Sequence, residues 1–368
     1  MDRRELLLSM FDPGGFGLEV GPGYNPLLPK SLGYQVETVD HADTNTLREK
    51  YSSFGVDISR IEEVDYVSDG GSLVDLIGEA GKYDFIVASH VIEHVTDIIR
   101  FMRDCEELLK PEGVLVLAIP DKRFCFDVLR PVSTVGQALD AFHEKRRRHT
   151  PGTVFDHISL VCSKAGQEIW LEPTLDDLEL RGTAEEVRTT HEAVRASSDY
   201  VDVHGWQFTP SHFRHFVKTL RDIGYIRLAE FQYRRNTQLD GIHLHEFYIA
   251  LSKTAEGTPL TGVELLKDGE RELREIRISR NDIDDSVTSV AKLETKVREL
   301  ADELVRARAD ADELAIVRGG LEEEIAARSE ELARARADNR ALRNSTSWKL
   351  TSPLRKMKTL FGTRRGQA

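Results

Sequence analysis

Apolar residues follow two periods along this chain, and the change between them divides it. Up to about residue 253 they come in short runs. Lys82-Tyr-Asp-Phe-Ile-Val-Ala-Ser89 and Val114-Leu-Val-Leu-Ala-Ile-Pro120 are almost unbroken apolar stretches, as expected of parallel strands covered on both faces. Leu18-Glu-Val20 and Tyr34-Gln-Val-Glu-Thr-Val-Asp40 predict two earlier strands, and Ile226–Tyr233 and Glu246–Lys253 two later ones. Residues 1–17 predict a leading helix. His90-Val-Ile-Glu-His94 opens an amphipathic helix that ends near Leu109, and Lys110-Pro-Glu-Gly113 is a turn. Thr209–Gly224 carries an N-cap threonine, helical spacing and a terminal glycine.

From about residue 283 the period becomes heptad. Val290, Val297, Leu304, Ala311, Ile325 and Leu332 share one position. Leu293, Leu300, Ala307, Leu314, Leu321, Ala335 and Leu342 share the other. Arg318, Arg328 and Asn339 interrupt the seam, and Gly319-Gly320 weakens it. Charged residues crowd the flanks, which predicts a coiled coil over residues 283–343. Residues 254–282 read as a linker. The tail, residues 344–368, has no acid and mixes Lys349, Arg355, Lys356 and Lys358 with Trp348, Leu354 and Phe361. Such a segment suits an anionic membrane surface.

Composition narrows the function classes. The 368-residue chain has a net charge of -13, which disfavours nucleic acid as a partner. Its three cysteines, Cys105, Cys125 and Cys162, lack metal-binding spacing and read as reduced thiols of a cytoplasmic protein. The Leu6-Leu-Leu8 run is too short for a signal sequence, and no apolar stretch of about 18 residues is present to span a bilayer.

The candidate chemistry begins at Glu19-Val-Gly-Pro-Gly23. A strand runs into a turn whose glycines, Gly21 and Gly23, let backbone approach a ligand closely. Pro26 stands where a dinucleotide-binding turn would carry its third glycine, so a pyrophosphate is not expected. Asp40, at the end of the next strand, is placed to accept hydrogen bonds from ribose hydroxyls. Glu19 lies beside the turn, within reach of a ligand ammonium.

Together with Tyr83-Asp-Phe-Ile-Val-Ala-Ser-His-Val-Ile-Glu-His94 and Leu108-Leu-Lys-Pro-Glu-Gly-Val-Leu115, these motifs resemble the class I S-adenosylmethionine-dependent methyltransferases of the type 11-like group. The resemblance covers roughly residues 15–125 by motif. It implies an α/β, Rossmann-like, mostly parallel sheet whose last strand is antiparallel, with a methyltransferase domain at residues 1–253. It also implies S-adenosylmethionine as cofactor, bound by Glu19, Gly21, Gly23, Asp40, Ser89 and His90, with Asp65 or Asp69 on the adenine amino group. Residues 126–208 read as an inserted helical cap over the cofactor face. Ser345-Thr-Ser-Trp-Lys-Leu-Thr-Ser-Pro-Leu-Arg355 resembles a segment near the ends of bacterial surface-polysaccharide glycosyltransferases.

Methyl transfer from a sulfonium needs an aligned, dry acceptor, and a hydroxyl acceptor gains from a histidine base. His94, His157 and His204 are the candidates. Asp202, His204 and Trp206 alternate along one segment and project toward one surface. His90, Glu93 and His94 would share a helical face, where Glu93 and His94 are expected to hydrogen-bond the helix start. Three such donors underdetermine an octahedral oxygen site, so no metal is expected. The expected acceptor is a sugar hydroxyl of a surface polysaccharide or glycolipid intermediate, methylated in the cytoplasm by a dimer or hetero-assembly whose tail touches the inner face of the membrane. Two other readings remain open. One is a methyltransferase for a small metabolite, lipid or protein, and the other a non-catalytic scaffold.

Overall fold

The unbroken apolar runs become the centre of a mixed seven-stranded sheet. The computed structural model describes residues 2–169, 175, 177–235, 238–239, 242–243, 245–274 and 311–346. Strands are β1 (Gly17–Val20), β2 (Val36–Asp40), β3 (Tyr66–Val67), β4 (Tyr83–Ser89), β5 (Leu109–Pro120), β6 (Cys162–Lys164), β7 (Gln167–Glu168), β8 (Glu179–Leu180), β9 (Ala229–Arg234), β10 (Gln238–Leu239), β11 (Ile242–His243) and β12 (Glu246–Ser252). Helices are α1 (Arg3–Leu8), α2 (Thr44–Tyr51), α3 (Leu73–Ile77), α4 (Ile98–Leu108), α5 (Val135–His143), α6 (Pro151–Leu160), α7 (Ala184–Ala196), α8 (Pro210–Asp222), α9 (Gly262–Arg274) and α10 (Ala311–Asn344).

The main sheet runs β3-β2-β1-β4-β5-β12-β9. β1 to β5 pair in parallel, and β12 is antiparallel to both β5 and β9. Side chains alternate between its faces. Ile86, Leu115 and Leu117 pack with Ile98 and Met102 of α4 and Phe213 and Phe216 of α8 on one face. Phe85, Val87, Val116 and Tyr248 pack with Leu7 of α1 and with Leu27 and Leu28 on the other. Each large apolar side chain buried this way contributes about 2 kcal/mol. The chain reverses direction through the sheet between β1 and β4, so the crevice beyond the carboxyl ends of those strands is where such sheets bind ligands.

Three expectations need correction. His90–His94 is not helical. His90 has φ 54°, one tight turn closes from His94 N to Val91 O (2.9 Å), and α4 starts only at Ile98. Asp97 caps it, its carboxylate accepting from Arg100 N (2.9 Å). Lys110–Gly113 lies within β5 as an irregularity of its pairing with β4 rather than as a separate turn.

Residues 254–282 are not all linker, because α9 docks on α8. Leu265 is fully buried. Glu272, also buried, accepts from Thr209 Oγ1 (2.6 Å), Ser211 Oγ (2.7 Å) and Ser211 N (3.0 Å), and so caps α8, whose own N-cap side chain makes no capping bond. A Cβ on Gly269 would meet the His212 ring at 2.5 Å, so the close approach of the two helices requires glycine there.

Between β5 and α8 the chain forms the inserted region: α5, α6, α7 and a small β7-β6-β8 sheet with its own core of Val128, Cys162 and Ile169. All three cysteines are free and buried. Residues from Asp284 onward form a second unit. In it α10 is described, which covers the Ala311–Leu342 part of the heptad pattern. The positions from Val290 to Ala307 and the tail from residue 347 lie outside the described residues. Among the described residues no helix is long and apolar enough to cross a membrane.

Candidate functional site

The glycine turn sits at the carboxyl end of β1. Gly21 and Gly23 have φ 66° and 51°, the left-handed region that glycine enters without strain. A Cβ on Gly21 would lie 2.7 Å from Val91 Cγ2, which seats the turn against the segment after β4. Gly23 N donates to Asp40 Oδ2 (3.0 Å), while Asp40 Oδ1 takes His41 N (2.7 Å) and faces His41 Nδ1 (2.6 Å). Asp40 is buried and thereby couples the end of β2 to the turn.

Glu19 has a different task from the expected one. Its carboxylate accepts from Leu27 N (2.6 Å) and Leu28 N (3.0 Å). It therefore clamps the loop beneath the cleft instead of meeting an ammonium. Burial outweighs those two bonds and pushes its carboxyl up to about 7.

Asp65 is also displaced from its expected role. It precedes β3 and accepts from Thr38 N (2.7 Å) and Lys30 Nζ (2.5 Å), away from the strand ends. Asp69 lies beyond the carboxyl end of β3, where it accepts from Gly71 N (2.8 Å), and is the one acid of the pair on the ligand side.

Ser89 and His90 close β4. Arg3 donates to Ser89 Oγ (2.6 Å) and Glu246 Oε2 (2.8 Å), and His90 Nε2 lies 2.8 Å from that same Oε2. Burial would raise the Glu246 carboxyl, but His90 and Arg3 hold it well below the usual range.

The acceptor-side candidates converge. The His204–Trp206 segment docks on the turn after β4: Gly205 N and Trp206 N donate to Glu93 O (2.6 and 3.2 Å), and Trp206 Nε1 donates to Val95 O (2.6 Å). Trp206 is thus core, as its burial shows. The His94 and His204 rings stand perpendicular at 4.7 Å, and His157 lies 6.0 Å from His204.

Two of these imidazoles are held by carboxylates. His94 Nδ1 faces Asp202 Oδ1 (2.8 Å), and His204 Nδ1 faces Asp127 Oδ2. Arg130 Nη1 in turn donates to Asp127 Oδ1 (2.9 Å) and His204 O (2.6 Å). Burial opposes the Asp127 charge, but the neighbouring His204 and Arg130 bring its carboxyl down to about 2. Burial lowers His149 and His157 to about 4, so both stay neutral near pH 7.

Glu93 does not hydrogen-bond the helix start. It is 2% exposed, and both its carboxylate oxygens lack a hydrogen-bond partner. Asp127 and Arg130 went unread in the sequence because they follow no spacing rule. They reach His204 only through the inserted region.

Residues 1–170 match a family model described as a methyltransferase domain. The ubiquinone biosynthesis O-methyltransferase of Rhodopseudomonas palustris (strain TIE-1) is 36% identical over 87 residues, which is 24% of this chain and 32% of the relative. That of Caulobacter vibrioides is 30% identical over 129 residues, 31% and 48% of the two chains. The chain therefore spans less than half the length of these curated relatives. A S-adenosylmethionine-dependent methyltransferase from Methanosarcina mazei is 13% identical and covers 70% of this chain and 100% of that one, at a TM-score of 0.35. Gly21, Gly23, Asp40 and Asp69 lie around the switch point of the sheet, and the family match makes residues 1–170 of this chain a methyltransferase domain of Rossmann-like fold, whose cofactor is S-adenosylmethionine.

Proposed function

We propose that this chain transfers the methyl group of S-adenosylmethionine to a hydroxyl of a polyhydroxylated, sugar-like acceptor belonging to a surface polysaccharide or glycolipid intermediate. One observation carries the reading. Beside the converging histidines lies a cavity of about 280 Å³ walled by Asp140, Arg146, His149, Thr150, Thr153 and Asp156. Hydroxyls, carboxylates and a guanidinium match a polyol, and they would leave the polar groups of the wall unpaired against an apolar chain. The relatives' names describe O-methyl transfer, which agrees with a hydroxyl nucleophile.

In the reaction the acceptor oxygen attacks the methyl carbon in line with the departing sulfur. The carbon–sulfur bond breaks with its electrons passing to sulfur, and the hydroxyl proton passes to water at the Glu93–His94–His204 cluster. The protein's contribution is alignment and removal of water. The heptad pattern pairs α10 with a second copy, and the basic tail, residues 344–368, brings the cytoplasmic enzyme to a membrane where lipid-linked glycans are assembled.

The test is transfer of labelled methyl from S-adenosylmethionine to fractionated cell-envelope material. Label in glycans or lipid-linked saccharides is expected. Label confined to quinones, proteins or small metabolites overturns the acceptor.

A further inference from the structure

We propose that Glu93, His94 and His204 bind a divalent transition-metal ion. Each offers one donor atom, and the three lie within 4.8 Å of one another. Motions of about 1 Å bring such donors to the roughly 2.0–2.2 Å first-shell distances of zinc-like ions. Along the sequence only His90, Glu93 and His94 fall together, on a helix that does not form. The fold removes that helix and brings in His204 from the inserted region.

Three further observations distinguish this cluster from an ordinary polar one. The first is the Glu93 carboxylate. It is 2% exposed with no hydrogen-bond donor on either oxygen, a costly arrangement for a buried acid unless a cation faces it. His90 Nδ1 and His94 Nε2 stand only at 3.5 and 4.0 Å from its Oε1.

The second is the orientation of the two imidazoles. A carboxylate can only accept, so Asp202 and Asp127 fix the proton of each ring on Nδ1. In the neutral ring that leaves Nε2 of His94 and His204 as the atom free to ligate. Carboxylate–histidine–metal relays have this form, and here there are two of them. The third is that the turn holding Glu93 and the segment holding His204 are bonded together through Glu93 O, so the donors are preorganised.

Two imidazoles and one carboxylate favour zinc, cobalt, manganese or iron over magnesium or calcium, which prefer all-oxygen shells. Three protein ligands leave a position open. The further role of the ion, which rests on the methyltransferase reading, is to bind the acceptor hydroxyl and lower its pKa. Its proton then passes to water, the oxygen forms the new bond to the methyl carbon, and S-adenosylhomocysteine departs with the sulfur's electron pair.

The experiment uses the full chain, stripped with a chelator and titrated with Co²⁺. One equivalent of Co²⁺ bound with visible d–d absorption of low-coordinate geometry is expected. Glu93→Gln and His204→Ala should each lose that signal, and Asp127→Asn should weaken binding by about 10–100-fold. The surface variant His143→Ala should leave it unchanged. Calorimetry with S-adenosylmethionine on the same variants checks that they fold. Variants that bind S-adenosylmethionine and still bind Co²⁺ like the parent, or a parent with no stoichiometric Co²⁺, overturn the site. A parent that binds Co²⁺ but not S-adenosylmethionine overturns the enzyme reading and leaves the metal site standing.

Discussion

His204 and Asp127 share a buried hydrogen bond through Nδ1 and Oδ2, and Arg130 holds Asp127 from its other oxygen. The imidazole is therefore fixed in both tautomer and direction, with its Nε2 edge toward Glu93 and His94. Asp127→Asn keeps the shape but lets the side-chain amide point the wrong group at the ring. Methyl transfer should fall by at least about tenfold, with S-adenosylmethionine affinity unchanged. Steady-state kinetics beside calorimetry would show it. An equal loss of cofactor binding would reassign Asp127 to a general structural role.

Asp40 is the cofactor-side counterpart. Its carboxylate holds Gly23 N and faces the ligand end of the sheet. Asp40→Ala removes both the turn support and the proposed ribose acceptor. A hydrogen bond to a charged group is worth about 1.5–3 kcal/mol, so S-adenosylmethionine should bind about tenfold to a hundredfold more weakly. A parent-like dissociation constant would rule out the ribose contact.

The sheet and cofactor turn were readable because their signals are local. Unbroken apolar runs such as Val114–Pro120 have few alternatives to a covered strand, and Gly21 and Gly23 fall where φ is positive. The helix expected from His90 failed because apolar spacing does not record a left-handed residue: His90 has φ 54°. Asp65 and Asp69 could not be separated, since strand end and strand start differ only in the β2–β3 register. The acceptor cluster depends on tertiary contacts. His204 was visible as a histidine, but Asp127, Arg130 and the orphaned Glu93 carboxylate acquire meaning only once the inserted region folds over the turn after β4.

Glu19 gives stability a pH dependence of unusual sign. Its folded carboxyl is raised to about 7 from 4.5. Between those values the folded chain holds a proton that the unfolded chain has released, so this group's contribution is fully present below about 4.5 and is lost as pH rises through about 7. Glu19→Gln keeps one acceptor for Leu27 N or Leu28 N and does not titrate. Melting temperatures across this window should fall more steeply with pH for the parent than for the variant. Parallel curves would mean that Glu19 is ionised throughout.

α9 belongs to the first compact unit, residues 1–283, through its contacts with α8. Glu272→Ala strands Ser211 Oγ and Ser211 N at the start of α8 and leaves Thr209 Oγ1 with His212 Nδ1 (2.8 Å) alone. Losing one buried, charged cap should cost about 1–3 kcal/mol. Chemical denaturation should show that loss, and a chain cut after Lys253 should be less stable than one cut after Ile283. Equal stability of the two truncations would return residues 254–282 to the role of linker.

The last prediction concerns assembly. α10 runs for 34 residues, about 50 Å, and leaves Leu321, Ile325 and Leu332 52%, 63% and 51% exposed. These three occupy the two seam positions of the heptad pattern. Only a facing helix buries such a stripe without changing the register, and Asn339 at an a-type position favours a two-stranded partner. The full chain should therefore sediment as a dimer. Ile325→Lys combined with Leu332→Lys places like charges across the seam and should yield monomers that still bind S-adenosylmethionine, because the first unit has its own core. A double variant that remains dimeric would place the contact elsewhere than this helix.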